Sequence, residues 1–147
     1  MMELSDQVHE RVQALSAEGD ASAEQGRYRE ALAKYAEALG LLPEPTTDWE
    51  AATWLLAAIG DAHFLAGDYE PARAALSDAM HCPDAISNPF LHLRLGQSQF
   101  ELGNLERAED ELTRAYMGAG PSIFKHEDPK YFEYLKSVLN APADGGG

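Results

Sequence analysis

Three short glycine turns constrain most tightly what this chain can fold into: Gln25-Gly26-Arg27-Tyr28, Ala66-Gly67-Asp68-Tyr69 and Leu102-Gly103-Asn104-Leu105. Seven residues before each turn glycine stands a second glycine, Gly19, Gly60 or Gly96. Five residues after it comes an alanine (Ala31, Ala72, Ala108), four further on a large side chain (Tyr35, Leu76, Leu112), and three beyond that another alanine (Ala38, Ala79, Ala115). A glycine inside a helix costs about 1 kcal/mol relative to alanine. Keeping one at the same place three times therefore needs a packing reason. Without a side chain there, the first helix of each unit can approach the alanine-faced second helix, whose apolar residues at i, i+4 and i+7 form a one-sided buried stripe. The turn glycine suits a left-handed helix C-cap. The expectation is an all-α chain of repeated helical hairpins.

On these residues the chain resembles the tetratricopeptide repeat (TPR), a helix–turn–helix unit of about 34 residues. In that register the units run 12–45, 53–86 and 89–122 within a single domain, 1–140. The resemblance implies a right-handed superhelical stack of three hairpins. The aromatic usual at the eleventh position of a unit is replaced here by Ser22, His63 and Gln99.

The segments between units carry their own signals. Pro43 and Pro45 break the helix twice. Thr47 with Glu50 reads as a capping box, which would start the next helix near Asp48 and carry it to about Ala66. Asn88-Pro89 and Asp128-Pro129 each read as an N-cap followed by proline at the first helical position. The second of these opens a helix over 129–140 with Tyr131, Tyr134, Leu135, Val138 and Leu139 on one side. A stack of hairpins leaves its last apolar face uncovered, so this helix is expected to cap the array. Residues 141–147, rich in glycine, are expected to form a disordered tail.

Eleven Lys and Arg stand against twenty-five Asp and Glu, a net charge of -14. Such a chain repels phosphate backbones and anionic lipid heads, so neither nucleic acid nor a membrane surface is an expected partner. A basic protein would be attracted, although acidity also serves plain solubility. Lone Cys82 cannot form an internal disulfide. The first residues lack the basic and apolar regions of a secretory signal, and no apolar run is long enough to span a bilayer. The expected compartment is the cytoplasm.

No phosphate-binding glycine loop, His-Glu-x-x-His, nucleophile elbow or cysteine pair occurs. His9, His63, His81, His92 and His126 lack the spacing of a metal-ligand set. His63 and His92 would sit on neighbouring helices, where packing is their expected role, and Cys82 is expected to be buried and inert. The chain reads as non-enzymatic, without cofactor or metal.

The resemblance implies that the first helix of each hairpin lines a concave face. Its inward positions fall on Gln13, Ser16, Asp20 and Ala23, then Trp54, Ala57, Asp61 and Phe64, then Phe90, Leu93, Gln97 and Phe100. Glu50 extends the second row by a turn, and Arg94 and Glu101 stand beside the third. The candidate partner-binding set is therefore Asp20, Glu50, Trp54, Asp61, Phe64, Phe90, Arg94, Gln97, Phe100 and Glu101. Aromatic anchors beside a few charges have the composition of a binding hot spot. The alternative is that some of these rings pack between hairpins.

Chaperone-binding members of the family grip a peptide carboxylate with basic and amide side chains. Here the inward positions hold aspartate, serine, alanine and glutamine, which disfavours that use. The chain is also similar to a group of small bacterial TPR proteins in 41–45 (Leu-Leu-Pro-Glu-Pro), 88–96 (Asn-Pro-Phe-Leu-His-Leu-Arg-Leu-Gly), 114–117 (Arg-Ala-Tyr-Met) and 127–131 (Glu-Asp-Pro-Lys-Tyr). Members of that group are often encoded beside polymorphic toxins. The resemblance implies an immunity protein, monomeric or weakly dimeric, that binds and neutralises a cognate basic toxin domain. The alternative is a TPR scaffold or secretion-type chaperone or adaptor.

Overall fold

The computed structural model describes residues 3–140, and the tail at 141–147 lies outside them. Seven α-helices follow one another in the described residues: α1 (Asp6–Glu24), α2 (Tyr28–Gly40), α3 (Glu50–Leu65), α4 (Tyr69–Ala79), α5 (Pro89–Glu101), α6 (Leu105–Ala119) and α7 (Pro129–Leu139). Short 3-10 turns at Thr46–Asp48 and Pro121–Phe124 precede α3 and α7. Helices α1 and α2, α3 and α4, and α5 and α6 pair as hairpins, and α2 against α3 and α4 against α5 join the hairpins into a stack.

Each hairpin turns the same way for the same reason. Gly26, Gly67 and Gly103 take φ of 75°, 84° and 83°. There, the amide of the glycine and that of the next residue both bond back to the helix. Gly26 N donates to Ala23 O at 2.9 Å and Arg27 N to Ser22 O at 2.9 Å, and the other two turns repeat the pair. That is the Schellman arrangement, which satisfies two carbonyls left open at the helix end.

Closer to the stack's interior, the second set of glycines meets the large side chain of the partner helix. A Cβ built on Gly19 would lie 2.5 Å from Tyr35 Cε1, one on Gly60 2.5 Å from Leu76 Cγ, and one on Gly96 2.8 Å from Leu112 Cγ and 3.0 Å from the Leu112 backbone nitrogen. Around these contacts runs one apolar core through the first two hairpins to Leu91 and Leu95. A second core joins Leu93, Leu112 and Ala115 to Phe124, Tyr131 and Leu135. Helix α7 thus covers the end of the stack.

Two local expectations are corrected. Helix α3 starts at Glu50 rather than near Asp48, and its N-cap is Trp49, without a side-chain cap bond. The reason is the indole of Trp49. It is buried, and its Nε1 donates to Pro43 O at 2.7 Å, which holds residue 49 extended and takes Thr47 out of capping position. On α7, Leu139 points outward at 46% exposure, while Phe132 is drawn in and stacks on Phe124 with ring centroids 4.8 Å apart.

Replacing Gly96 by alanine should cost about 2 kcal/mol in urea unfolding, because over-packing outweighs the gain in helix propensity. Gly60→Ala should cost about 1 kcal/mol, since a leucine side chain yields more readily than backbone. Gly40→Ala, with open space around the new Cβ, should instead stabilise by about 0.5 kcal/mol.

Candidate functional site

The inward rows of α1, α3 and α5 divide into two parts. The N-terminal part is open. A groove of 850 Å³ lies between α1 and α3, and its walls include Glu3, His9, Gln13, Ser16, Asp20, Glu50 and Trp54. Trp54 is 62% exposed. On its other side a hollow of 330 Å³ reaches the α4–α5 loop at Pro83, Asp84 and Asn88, with Glu50 and Thr53 completing it. Glu50 and Trp54 are one helical turn apart and so share a face; together they form a ridge between the two hollows.

Asp20 borders the large groove and also a pocket of 250 Å³ lined by Ala23, Glu24, Tyr35, Ala58, Asp61 and Ala62. The Tyr35 hydroxyl donates to Asp20 Oδ1 at 2.6 Å. Burial, then that bond, then the charges of Asp20, Asp61 and Glu24 hold the phenol pKa well above its ordinary value. Among the described residues, no lysine or arginine lines any of these three cavities.

The C-terminal part is filled by the chain itself. Arg94, 7% exposed, donates from Nε to Asp61 Oδ1 at 2.6 Å, and from Nη1 to Glu127 Oε1 at 2.5 Å and Gln97 Oε1 at 2.7 Å. Its guanidinium lies 4.9 Å and 5.0 Å from the ring centroids of Phe64 and Phe90. Burial works against the Arg94 charge, but the bonds to Asp61 and Glu127 more than restore it. Gln97, 0% exposed, donates its amide to Glu127 at 2.8 Å. From α7, Tyr131 packs on Phe64 and Phe100 and donates its hydroxyl to Glu101 at 2.6 Å, while Lys130 pairs with the same carboxylate.

Of the ten candidate residues, Asp20, Glu50 and Trp54 therefore face open space, and Asp61 lines a cavity while holding Arg94. Phe90 is at the margin, 37% exposed. Phe64, Arg94, Gln97, Phe100 and Glu101 have their faces or polar atoms engaged by residues 127–134. Sequence reasoning missed Glu3, His9 and Glu24 on the open part and Glu127 on the closed one. Glu127 had a signal: an arginine on an inward-facing helix needs a carboxylate, and this residue sits just ahead of the capping helix.

The α4–α5 loop, one wall of the smaller hollow, is tied down at two points. Thr53 Oγ1 donates to Pro83 O at 2.8 Å. Buried His92 places Nδ1 2.5 Å from Glu111 Oε2 and Nε2 2.6 Å from Ile86 O. Both ring nitrogens face acceptors, so the arrangement is complete only for the doubly protonated ring. His92 is thus committed to α6 and the loop rather than to His63. Buried Cys82 directs its thiol at Asp78 O, and burial raises its pKa, which leaves it an inert thiol.

No protein-family model matches the sequence, and no curated protein matches it either. Solved structures do match in fold. The second TPR domain of human RPAP3, in complex with the HSP70 peptide SGPTIEEVD, superposes with a TM-score of 0.69 at 16% identity, covering 90% of this chain and 98% of that one. The Yersinia enterocolitica type III secretion chaperone SycD, in complex with a peptide of the translocator YopD, gives 0.70 at 18% identity, covering 92% and 95%. The first TPR domain of human RPAP3 gives 0.68 at 21%, covering 90% and 98%. The chain has the TPR fold, a stack of three helical hairpins closed by a seventh helix. No helix among the described residues is long and apolar enough to cross a membrane.

Two outcomes are expected. Arg94→Gln strands the carboxylates of Asp61 and Glu127 against each other, and should cost about 3 kcal/mol in urea unfolding, the lower end for breaking a buried pair. For His92, the hydrogen bond to Glu111 chiefly, against burial, and then the bond to Ile86 raise the pKa above 6.5, with Arg114 opposing. A raised folded value means the contribution is full below the unfolded value and is lost as pH rises through the folded one. The stability difference between the wild type and His92→Gln should hold steady in acid and shrink on the alkaline side of 6.5, as read by chemical denaturation at a series of pH values.

Proposed function

We propose that this chain is a non-catalytic protein-interaction module whose concave face receives a basic protein. The observation that carries the reading is the open groove between α1 and α3, where an exposed Trp54 stands among Glu3, Asp20 and Glu50, with no lysine or arginine among the described residues lining the space. Aromatic surface supplies contact area at low entropic cost, and a field of one sign speeds encounter with a partner of the other. The same face disfavours acidic ligands. The HSP70 peptide bound by the RPAP3 domain ends in Glu-Glu-Val-Asp, a sequence that these carboxylates would repel. Its inward Arg94 is no substitute, being already bound to Asp61 and Glu127.

Within that reading, the finer function is a bacterial immunity protein in the cytoplasm, binding a cognate cationic toxin domain and covering its active surface. The support is the resemblance in 41–45, 88–96, 114–117 and 127–131 together with a net charge of -14. A toxin that acts on nucleic acid must carry positive charge, and an acidic partner would reach it fast. A second reading, a secretion-type chaperone or scaffold, is favoured by the likeness to SycD. Light scattering separates the two: a concentration-independent dimer that Leu139→Glu converts to monomer would support the second.

The test is purification of the tagged chain from its native cell, then kinetics with the protein that co-purifies. The expected partner is basic. Its association should slow steeply as salt rises, Glu50→Gln should slow association, and Trp54→Ala should speed release by about tenfold or more. A neutral or acidic partner, held equally at low and high salt with both substitutions silent, would overturn the placement.

A further inference from the structure

The concave face already contains one complete example of how this chain holds a cation. Arg94 lies over two aromatic faces, Phe64 and Phe90, with Asp61 and Glu127 on its charged end. One hairpin back, the parts recur with one exception. Trp54 offers an exposed ring, and Glu50 a carboxylate one turn away on the same face. Asp84 stands across the hollow on one side, and Asp20 and Glu3 across the groove on the other. Neither the Trp54 indole nor the Glu50 carboxylate has a hydrogen-bond or ion-pair partner among the described residues, and no described cation lies over the indole. Trp49, the other tryptophan, is spent on Pro43.

We propose that Trp54 is the seat for an arginine of the partner protein, whose guanidinium lies on the indole face and bonds Glu50. This rests on the reading of the concave face as the docking surface and narrows it to one side chain. Tryptophan is the best ring for a cation, and the planar guanidinium both stacks on it and forks onto a carboxylate, which an ammonium cannot do. The hollows of 850 and 330 Å³ flanking the ridge give the residues on either side of that arginine a place to go. Leu4, Val12 and Leu55 help line the larger hollow and Pro83 and Pro89 the smaller, so the occupant is a segment with an arginine between two apolar side chains, set on a basic surface.

The experiment uses the full chain, labelled with nitrogen-15. Its two tryptophans give two indole N–H resonances, assigned with Trp54→Phe. The probe is the synthetic peptide acetyl-Ala-Leu-Arg-Leu-Ala-amide, titrated alongside the same peptide with citrulline, a neutral isostere, in place of arginine. The arginine peptide should shift the Trp54 indole resonance and leave that of Trp49 in place. It should bind about fivefold more tightly than the citrulline peptide, and lose that advantage in Glu50→Gln, a surface substitution that leaves the fold intact. Equal binding of the two peptides would overturn the assignment. So would shifts confined to Ala17 and Asp20 with the Trp54 resonance unmoved; in that case the acidic groove would still stand as a site for basic ligands. No shift anywhere along α1 and α3 with either peptide would remove both.

Discussion

The contact on which the rest of this structure depends is a hole filled by a neighbour. Gly19, Gly60 and Gly96 each leave out a side chain, and Tyr35, Leu76 and Leu112 each occupy the gap from the partner helix. The interlock fixes how far apart two helices sit and how one is rotated about its axis relative to the other. Everything on the concave face follows from that rotation. With the glycine turned toward its partner helix, the residue one place on, Asp20, Asp61 or Gln97, turns toward the hollow. The unfavourable propensity of a helical glycine is offset because the alternative, a methyl group against a buried leucine, is worse.

From that common frame the chain builds two unlike halves. The first hairpin and the first turns of α3 leave their inward residues open, whereas Phe64 near the end of α3 and most of the row on α5 are covered by residues 127–134. The cover is both electrostatic and apolar: Glu127 on Arg94 and Gln97, then Tyr131 and Tyr134 against Phe100. A stack must end somewhere, and an end built from aromatic rings needs something to lie on them. Helix α7 provides it by using the concave positions as well as the terminal face. The groove available to a partner is shortened accordingly and moved toward the N-terminus.

How much of this was legible in the sequence depended on whether a feature was local. The hairpin turns and the N-caps at Asn88 and Asp128 rest on residues a few places apart and were readable from their own stretches, and the glycine interlock, whose partners lie within one hairpin, was readable from its recurrence in all three units. The start of α3 was not, because it is decided by where the Trp49 indole can be buried, and the acceptor for that indole is a carbonyl across a proline-rich bend. The division of the concave face was less legible still. Arg94, Gln97, Phe100 and Glu101 have the right register to face inward, and they do. Whether an inward residue meets solvent or another part of the chain turns on contacts 30 or 33 residues away in sequence, which no periodicity encodes.

The first hairpin shows why packing and recognition cannot be separated in such a stack. Its gap-filling residue is a tyrosine where the others have leucine, and the ring passes Gly19 to place its hydroxyl on Asp20. The phenol thereby takes up one carboxylate oxygen of a residue that also lines the cavity shared with Glu24 and Asp61. A leucine there would leave Asp20 without its donor and part of the ring's space unfilled. Tyr35 therefore orients a charge on the concave face from the neighbouring helix of its hairpin. A change in the core at this position would reach the groove as well as the fold.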